Sequence, residues 1–162
     1  MGIVRPHLWY HSQAIEAAEF YTSVITNSSI TAVRKAATDM PGVRKDEAFV
    51  VEFTLDGLPV TAISAGPPFT LDEAFSFMVE CADQAEVDRY WDALIADGGQ
   101  PSACGWLKDK FGVSWQVVPK GLDDLVFAEG PAGARATETM LTMGKLDIAT
   151  IRAAHDGVPV AP

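Results

Sequence analysis

Apolar and polar residues along this chain follow two rhythms, one of period two and one of helical spacing, and the same order of rhythms occurs twice. His7-Leu8-Trp9-Tyr10 alternates as a strand does, with His7 and Trp9 on one face and Leu8 and Tyr10 on the other. Ser12 stands where a helix N-cap is wanted, and Ala14, Ala17, Ala18, Tyr21, Val24 and Ile25 then recur at helical spacing until Asn27-Ser28-Ser29. Ile30 to Val33 starts a second strand, and Asp39 to Lys45, with Pro41-Gly42 and several charges, reads as a surface loop. Ala48 to Leu55 is a strong strand that puts Phe49, Val51, Phe53 and Leu55 on one face and Val50, Glu52 and Thr54 on the other. Asp56-Gly57 is a two-residue hairpin signal, so Leu58 to Ser64 returns beside it with Glu52 opposite Thr61. Pro59 belongs at an edge or bulge.

After the connector Ala65-Gly66-Pro67-Pro68 the order begins again. Phe75 to Val79 is a strand, and Asp83-Gln84-Ala85-Glu86 opens a helix like a capping box. Val87, Tyr90, Trp91 and Leu94 make its apolar stripe, and Gly98-Gly99 stops it. A strand over about Gln100 to Trp106 follows, then a polar turn around Lys108-Asp109-Lys110 and Gly112, then a strand through Val113 to Val118, closed by Pro119. In that last strand Ser114, Gln116 and Val118 share one face, and Val113, Trp115 and Val117 share the other. A buried amide needs partners, so Gln116 either faces water or lines a cavity. Glu52 and Gln116 read as occupying like places in the two late strands. Beyond Pro119 the character changes: Asp123 to Phe127 is a short turn or helix, Ala132 to Met143 carries an apolar stripe at Ala132, Ala136, Met140 and Met143, and Asp147 caps a last helix that Gly157 ends. Val158 to Pro162 reads as loose.

Composition narrows the function. The 162 residues are 48% hydrophobic, an ordinary globular balance, and the formal charge of -10 opposes binding to nucleic acid or to an anionic membrane surface. A cationic ligand is favoured at long range, although acidity also serves solubility. Cys81 and Cys104 are too few for a disulfide framework or a cysteine-rich zinc site. The start of the chain has no secretory apolar stretch and no apolar run is long enough to span a bilayer, so a cytoplasmic location is expected.

Cys104-Gly105-Trp106-Leu107-Lys108-Asp109-Lys110-Phe111-Gly112-Val113-Ser114-Trp115-Gln116 closely resembles a signature of the PhnB-like family, labelled "3-demethylubiquinone-9 3-methyltransferase", within the vicinal oxygen chelate superfamily of glyoxalase I, bleomycin-resistance proteins and extradiol dioxygenases. The opening strand and helix, the Ala65 to Phe69 linker and the C-terminal segment Met140 to Gly157 are similar to the same family. The resemblance implies an α+β fold. Paired βαβββ modules, over about residues 1–66 and 67–119, form a curved mixed sheet around a cavity, with residues 120–162 as a C-terminal helical extension of the same domain. It implies a small-molecule ligand and a homodimer.

Superfamily members hold a divalent metal with side chains from like strands of both modules. Carried over, the pattern gives His7 and Glu52 as metal candidates, with Ser76 and Gln116 at the remaining places. Serine and a neutral amide are poor ligands, so no tightly bound cofactor is expected, and at most a weak divalent metal completed by water or substrate. Glu52, His7 and Gln116 are the catalytic candidates. Glu52 would serve as base if it were buried without a partner. Trp9, Ser76, Trp106 and Ser114 are the candidate substrate contacts, although Trp9, Trp106 and Trp115 read first as core residues. The methyltransferase label itself is set aside: a nucleotide-type cofactor wants a glycine-rich strand-to-helix turn, and in Ala65-Gly66-Pro67-Pro68-Phe69 two prolines remove amide donors. Two functions stay open, a lyase, isomerase or dioxygenase on a small metabolite and a drug- or metabolite-sequestering protein.

Overall fold

The structure is a computed structural model and describes residues 4–159. Val160 to Pro162, part of the tail read as loose, lie outside the described residues. The chain forms two compact units, Met1–Asp72 and Glu73–Pro162. Each carries the order strand, helix, three strands.

In the first unit, β1 (His7–Tyr10), α1 (Ala14–Val24), β2 (Ser29–Lys35), β3 (Ala48–Leu55) and β4 (Leu58–Ser64) build one mixed sheet in the order β1-β4-β3-β2. The parallel pair β1–β4 sets His7 beside Thr61, and the Asp56-Gly57 hairpin sets Glu52 beside Thr61, as the turn arithmetic required. Pro59 lies on an interior strand, yet β1 reaches β4 only from Thr61 onward, where Thr61 N–H donates to Pro6 O. The missing proline N–H is therefore not needed there. Leu8, Tyr10, Val51, Phe53, Val60 and Ala62 are buried on the face that α1 covers. Tyr21 of α1 joins them, its hydroxyl 3.0 Å from that of Tyr10. Ser12 does not cap α1. Gln13 holds the N-cap position without a side-chain bond, and the Ala14 amide is satisfied instead by Ser64 Oγ at 3.1 Å. A tertiary donor–acceptor pair has replaced the local one.

In the second unit, β5 (Ser76–Cys81), α2 (Gln84–Ile95), β6 (Gln100–Pro101), β7 (Trp106–Lys108) and β8 (Ser114–Pro119) form a sheet in the order β5-β8-β7-β6. The single strand expected over Gln100 to Trp106 is broken in two, because Cys104 and Gly105 take positive φ of 56° and 81° and turn the chain. Asp83 caps α2 through the Glu86 amide, and Glu86 returns a bond to the Ala82 amide, one residue before the N-cap amide that a strict capping box would use. The stripe Val87, Tyr90, Trp91 and Leu94 is buried in full, as are Phe77, Leu107, Trp115 and Val117 of the sheet.

Three helices complete this unit: α3 (Leu122–Val126), α4 (Pro131–Met140) and α5 (Ile148–Asp156). Asp147 caps α5 through the Thr150 amide, and Gly157 ends it in a left-handed conformation. Leu122, Leu125, Val126, Ala136, Leu146 and Ile151 form their shared core, with Met140 and Met143 packed against it. Ala132 is not on the buried stripe of α4; Gly133 is, because its α-carbon lies against the Ala128 carbonyl, where a β-carbon has no room. Gln84 ties the segment to α2, donating to Leu146 O and accepting from the Ile148 amide. No helix among the described residues is long and apolar enough to cross a membrane.

Cys81 ends β5 with no exposed surface. Burial, helped by the charge of Glu86 and opposed by Arg89, pushes its thiol up from 9.0 to about 11. A folded-state value above the unfolded one stabilises the fold while the thiol is protonated. That contribution is full below about 9 and disappears as pH rises through about 11. Urea midpoints are expected to fall across that window in the native chain and to fall less in Cys81→Ala. Equal slopes would remove the thiol from the explanation.

Candidate functional site

Each sheet gives one face to helices and leaves the other face to polar side chains. In the first unit that free face carries the row His7, Thr61, Glu52 and Ala32, adjacent by register across β1, β4, β3 and β2. Trp9, Ile63, Val50 and Arg34 form the next row. His7 is exposed, Trp9 is half-buried, and Thr61 is buried.

Glu52 is half-buried and paired. Arg34 Nε and Nη2 donate to Glu52 Oε1 at 3.0 and 2.8 Å, and Arg5 Nη1 lies 3.8 Å from Oε2. The condition for a base, burial without a partner, is not met. Arg34 is on β2, and its alignment with Glu52 depends on the β2–β3 register, which a bulge between Ile30 and Ala32 shifts. Nothing in the local sequence announces that bulge, so the arginine partner was not legible.

Trp9 Nε1 donates to Gly66 O at 2.7 Å and the ring meets Phe69 edge-on, with centroids 5.0 Å apart. The Gly66 amide donates to His11 O at 2.9 Å. The linker's one glycine amide is thus committed to the protein's own backbone.

In the second unit the free face carries Ser76 and Met78 on β5, Ser114 and Gln116 on β8, and Trp106 and Lys108 on β7. Gln116 pairs by register with Met78 and Trp106, and its Nε2 donates to Ser76 Oγ at 2.9 Å. Ser76, Trp106, Ser114 and Gln116 are therefore gathered on one face. The repeat, however, matches β4 with β8 and β3 with β7. Gln116 on β8 has its counterpart on β4, and Glu52 on β3 is matched to β7. Both hairpin strands are alternating and apolar, and period-two patterning does not tell the first strand of a hairpin from the second.

Asp109, read as part of a polar turn, is buried at 4% exposure. Its Oδ1 accepts from the amides of Phe111 and Val113 at 2.8 and 3.1 Å, and its Oδ2 from Trp115 Nε1 at 2.8 Å. An aspartate that bonds the amide two residues on is the ordinary sign of such a turn. The link to the Trp115 indole required the strand pairing as well. Lys108 Nζ, on the other face, holds the Glu73 carboxylate.

The donor set on the first sheet does not suit a resident metal. His7 and Glu52 are two strands apart, about 9–10 Å between backbones. Both Glu52 oxygens also face guanidinium groups. The second unit offers neutral oxygens from Ser76, Ser114 and Gln116. Among the described residues no group of three or more His, Cys, Asp or Glu is placed to hold an ion.

Two four-stranded mixed sheets, each in the order first strand, fourth, third, second and each backed by a helix, define an α+β protein built of two like βαβββ units. Residues 3–118 match the family described as 3-demethylubiquinone-9 3-methyltransferase, and the chain belongs to that family. Among solved structures it is similar to a Bacillus cereus protein whose description pairs the same methyltransferase name with PhnB. That likeness has a TM-score of 0.66 and 29% identity over 73% of this chain and 99% of that one. A Pseudomonas aeruginosa protein gives 0.61 and 20% over 74% and 98%. A variant of the fosfomycin-resistance protein FosX from Listeria monocytogenes, solved with Mn(II) and 1S,2S-dihydroxypropylphosphonic acid, gives 0.53 and 14% over 72% and 90%. The last two likenesses concern the fold. Among curated proteins none matches.

Proposed function

We propose that this chain binds a small organic molecule with the helix-free faces of its sheets, using Glu52, His7 and Trp9 in the first unit and Ser76, Trp106, Ser114 and Gln116 in the second. The observation that carries this reading is the sidedness of both sheets. Each covers one face with a helix and spends the other on polar and aromatic side chains, two of which, Thr61 and Ser114, are buried. A sheet face that merely met water would not need buried hydroxyls, since burying one costs free energy without a partner. Glu52 takes the role of an orienting group. Both its oxygens face arginine donors, whereas a proton acceptor must present a free lone pair to its substrate. Binding or sequestration therefore suits the first sheet better than proton abstraction by Glu52. Lyase, isomerase or dioxygenase turnover by other groups is the competing reading. Any divalent metal would be weak and completed by water or ligand.

The test is a thermal-shift screen of the purified protein against metabolites and drugs, cationic ones included, with turnover followed for each binder. A compound that raises the melting midpoint at saturating dose is expected. Glu52→Gln or Gln116→Ala is expected to weaken it about tenfold, the scale of one charge-assisted hydrogen bond, with the fold intact. Binders indifferent to both substitutions would overturn the assignment.

The same reading includes a homodimer, supported by strands such as β2 that end an open sheet and need cover, and a reducing, cytoplasmic compartment that suits the free thiols of Cys81 and Cys104. Light scattering at high micromolar concentration is expected to give twice the 17.4 kDa chain mass. A monomer mass there would reject the dimer.

A further inference from the structure

Ser114 Oγ is the one buried side-chain oxygen or nitrogen without a hydrogen-bond partner among the described residues. Ser114 is 1% exposed and sits in the middle of the second sheet. Native proteins seldom leave such a group unanswered, and one that persists asks for a reason. Here the residue lines a cavity of about 480 Å³ within the second unit, with Glu73, Gln100, Pro101, Trp106 and Lys108. That volume suits a small ligand. Lys108 is the cross-strand partner of Ser114, which puts their β-carbons about 4.5–5.5 Å apart on the same face. The Lys108 ammonium is held by the carboxylate of Glu73, from the turn before β5.

We propose that this cavity is a carboxylate pocket: Lys108 Nζ and Ser114 Oγ–H hold the carboxylate of a small organic acid whose apolar body lies against Trp106, and Glu73 is the internal carboxylate that the ligand displaces. The inference deepens the small-molecule-binding reading and rests on it.

Charge decides for an acid over a base. The chain as a whole is at -10, which at long range favours cations. At the cavity the near groups outweigh that field. Glu73 is the one acidic residue lining it, and Lys108 already occupies its carboxylate. A cationic ligand would have to take Glu73 from Lys108 and leave two like charges side by side, one without a partner. A carboxylate ligand instead releases Glu73 to water, where its side chain is already 67% exposed, against 34% for Lys108. The exchange is carboxylate for carboxylate, so the lysine never loses its counter-ion. Two donors, an ammonium and a hydroxyl, match the two oxygens of a carboxylate and under-serve a phosphate. The Ser114 hydroxyl has almost no exposed surface, so part of the lining must yield before a ligand reaches it. Glu73 is the more exposed member of the ion pair, and its displacement from Lys108 is the rearrangement the proposal requires. Trp106 and Pro101 supply an apolar wall.

Sodium benzoate is the probe, titrated at low salt into the full chain and its variants. Tryptophan emission and the amide NMR shifts of Lys108 and Ser114 report binding. Saturable binding is expected at those two amides. Lys108→Met is expected to raise Kd about tenfold or more, and Ser114→Ala about fivefold, the scale of a charge-assisted and an ordinary hydrogen bond. Glu73→Gln is expected to lower Kd, because the internal competitor is gone. Ser114→Ala is also expected to leave the unfolding midpoint of the free protein unchanged or higher, since it deletes an unpaired polar atom. Thermal unfolding of each variant confirms that it folds. A Glu73→Gln protein that binds benzoate no better, or a Lys108→Met protein that binds it as well, overturns the proposal. Benzylamine shifting the same amides more strongly than benzoate would overturn the carboxylate assignment while leaving the small-molecule reading intact. Inorganic phosphate binding as tightly as benzoate would overturn the carboxylate specificity in the same way. Failure of the metabolite screen, read on Glu52 and Gln116 in the whole protein, would instead remove the reading on which the pocket rests.

Discussion

Asp109→Ala is expected to remove roughly 3–5 kcal/mol of stability, the scale of stripping a charged partner from several buried donors. The carboxylate receives the Phe111 and Val113 amides on one oxygen and the Trp115 indole on the other, so alanine strands three donors at one stroke. Trp115 is 1% exposed and its indole N–H has no water to turn to. A domain's whole stability is about 5–15 kcal/mol, so the loss would be a large share of it. Urea unfolding with an unchanged m-value checks the size of the effect. Asp109→Asn separates its parts. Its amide oxygen still takes the two backbone donors, while its NH2 confronts the Trp115 N–H donor to donor. Trp115→Phe removes that donor, so the double variant Asp109→Asn, Trp115→Phe is expected to lose less than the sum of the two single ones. Strict additivity would mean that the indole bond carries no energy. The consequence reaches the cavity too, because the turn that Asp109 closes is the link between Lys108 and Ser114.

Sequence rhythm reached the fold in this chain because the informative positions were locally decided. Val87, Tyr90, Trp91 and Leu94 could be buried by nothing but one helix face, and Asp56-Gly57 fixed the β3–β4 register and with it the neighbours Glu52 and Thr61. The duplicated order of elements was likewise legible in the rhythm, agreed with the resemblance to the family, and is shown by both units. The site was less legible. Its residues were placed on the correct faces, since faces follow from alternation, but their partners come from elsewhere in the chain. Arg34 reaches Glu52 past a bulge, and Glu73 reaches Lys108 from 35 residues away. The matching of Glu52 with Gln116 failed for a related reason. Which of two adjacent alternating strands lies beside the first strand of its unit is a question of pairing, and pairing leaves no mark on either strand alone. Ser12 illustrates the same limit at a helix end, where a distant Ser64 hydroxyl did the work expected of the local side chain.

Gly105→Ala is expected to cost roughly 3 kcal/mol or more, combining the strain of a left-handed backbone with overpacking. Gly105 has φ of 81°, which L side chains avoid. A β-carbon there would meet Val117 O at 2.8 Å and Leu146 Cδ1 at 2.9 Å. Neither neighbour is free. The Gly105 carbonyl accepts from the Val117 amide at 2.8 Å, and its own amide donates to Gly144 O at 2.8 Å, so the residue ties the sheet to the segment that carries Leu146. Leu146 has no exposed surface and belongs to the core that unites α3, α4 and α5. Pushing Leu146 away from Gly105 therefore strains the C-terminal helices as well as the signature turn. A double-variant cycle apportions the cost. Leu146→Ala alone is expected to lose about 2–5 kcal/mol by opening a cavity. In combination it gives the new methyl group space on one side, so the pair is expected to fall short of the sum. It cannot restore the glycine value, because Val117 O is backbone and φ remains positive. Denaturant midpoints for the four proteins decide it: full rescue by Leu146→Ala would show that side-chain crowding alone demands glycine, and exact additivity would show that Leu146 plays no part.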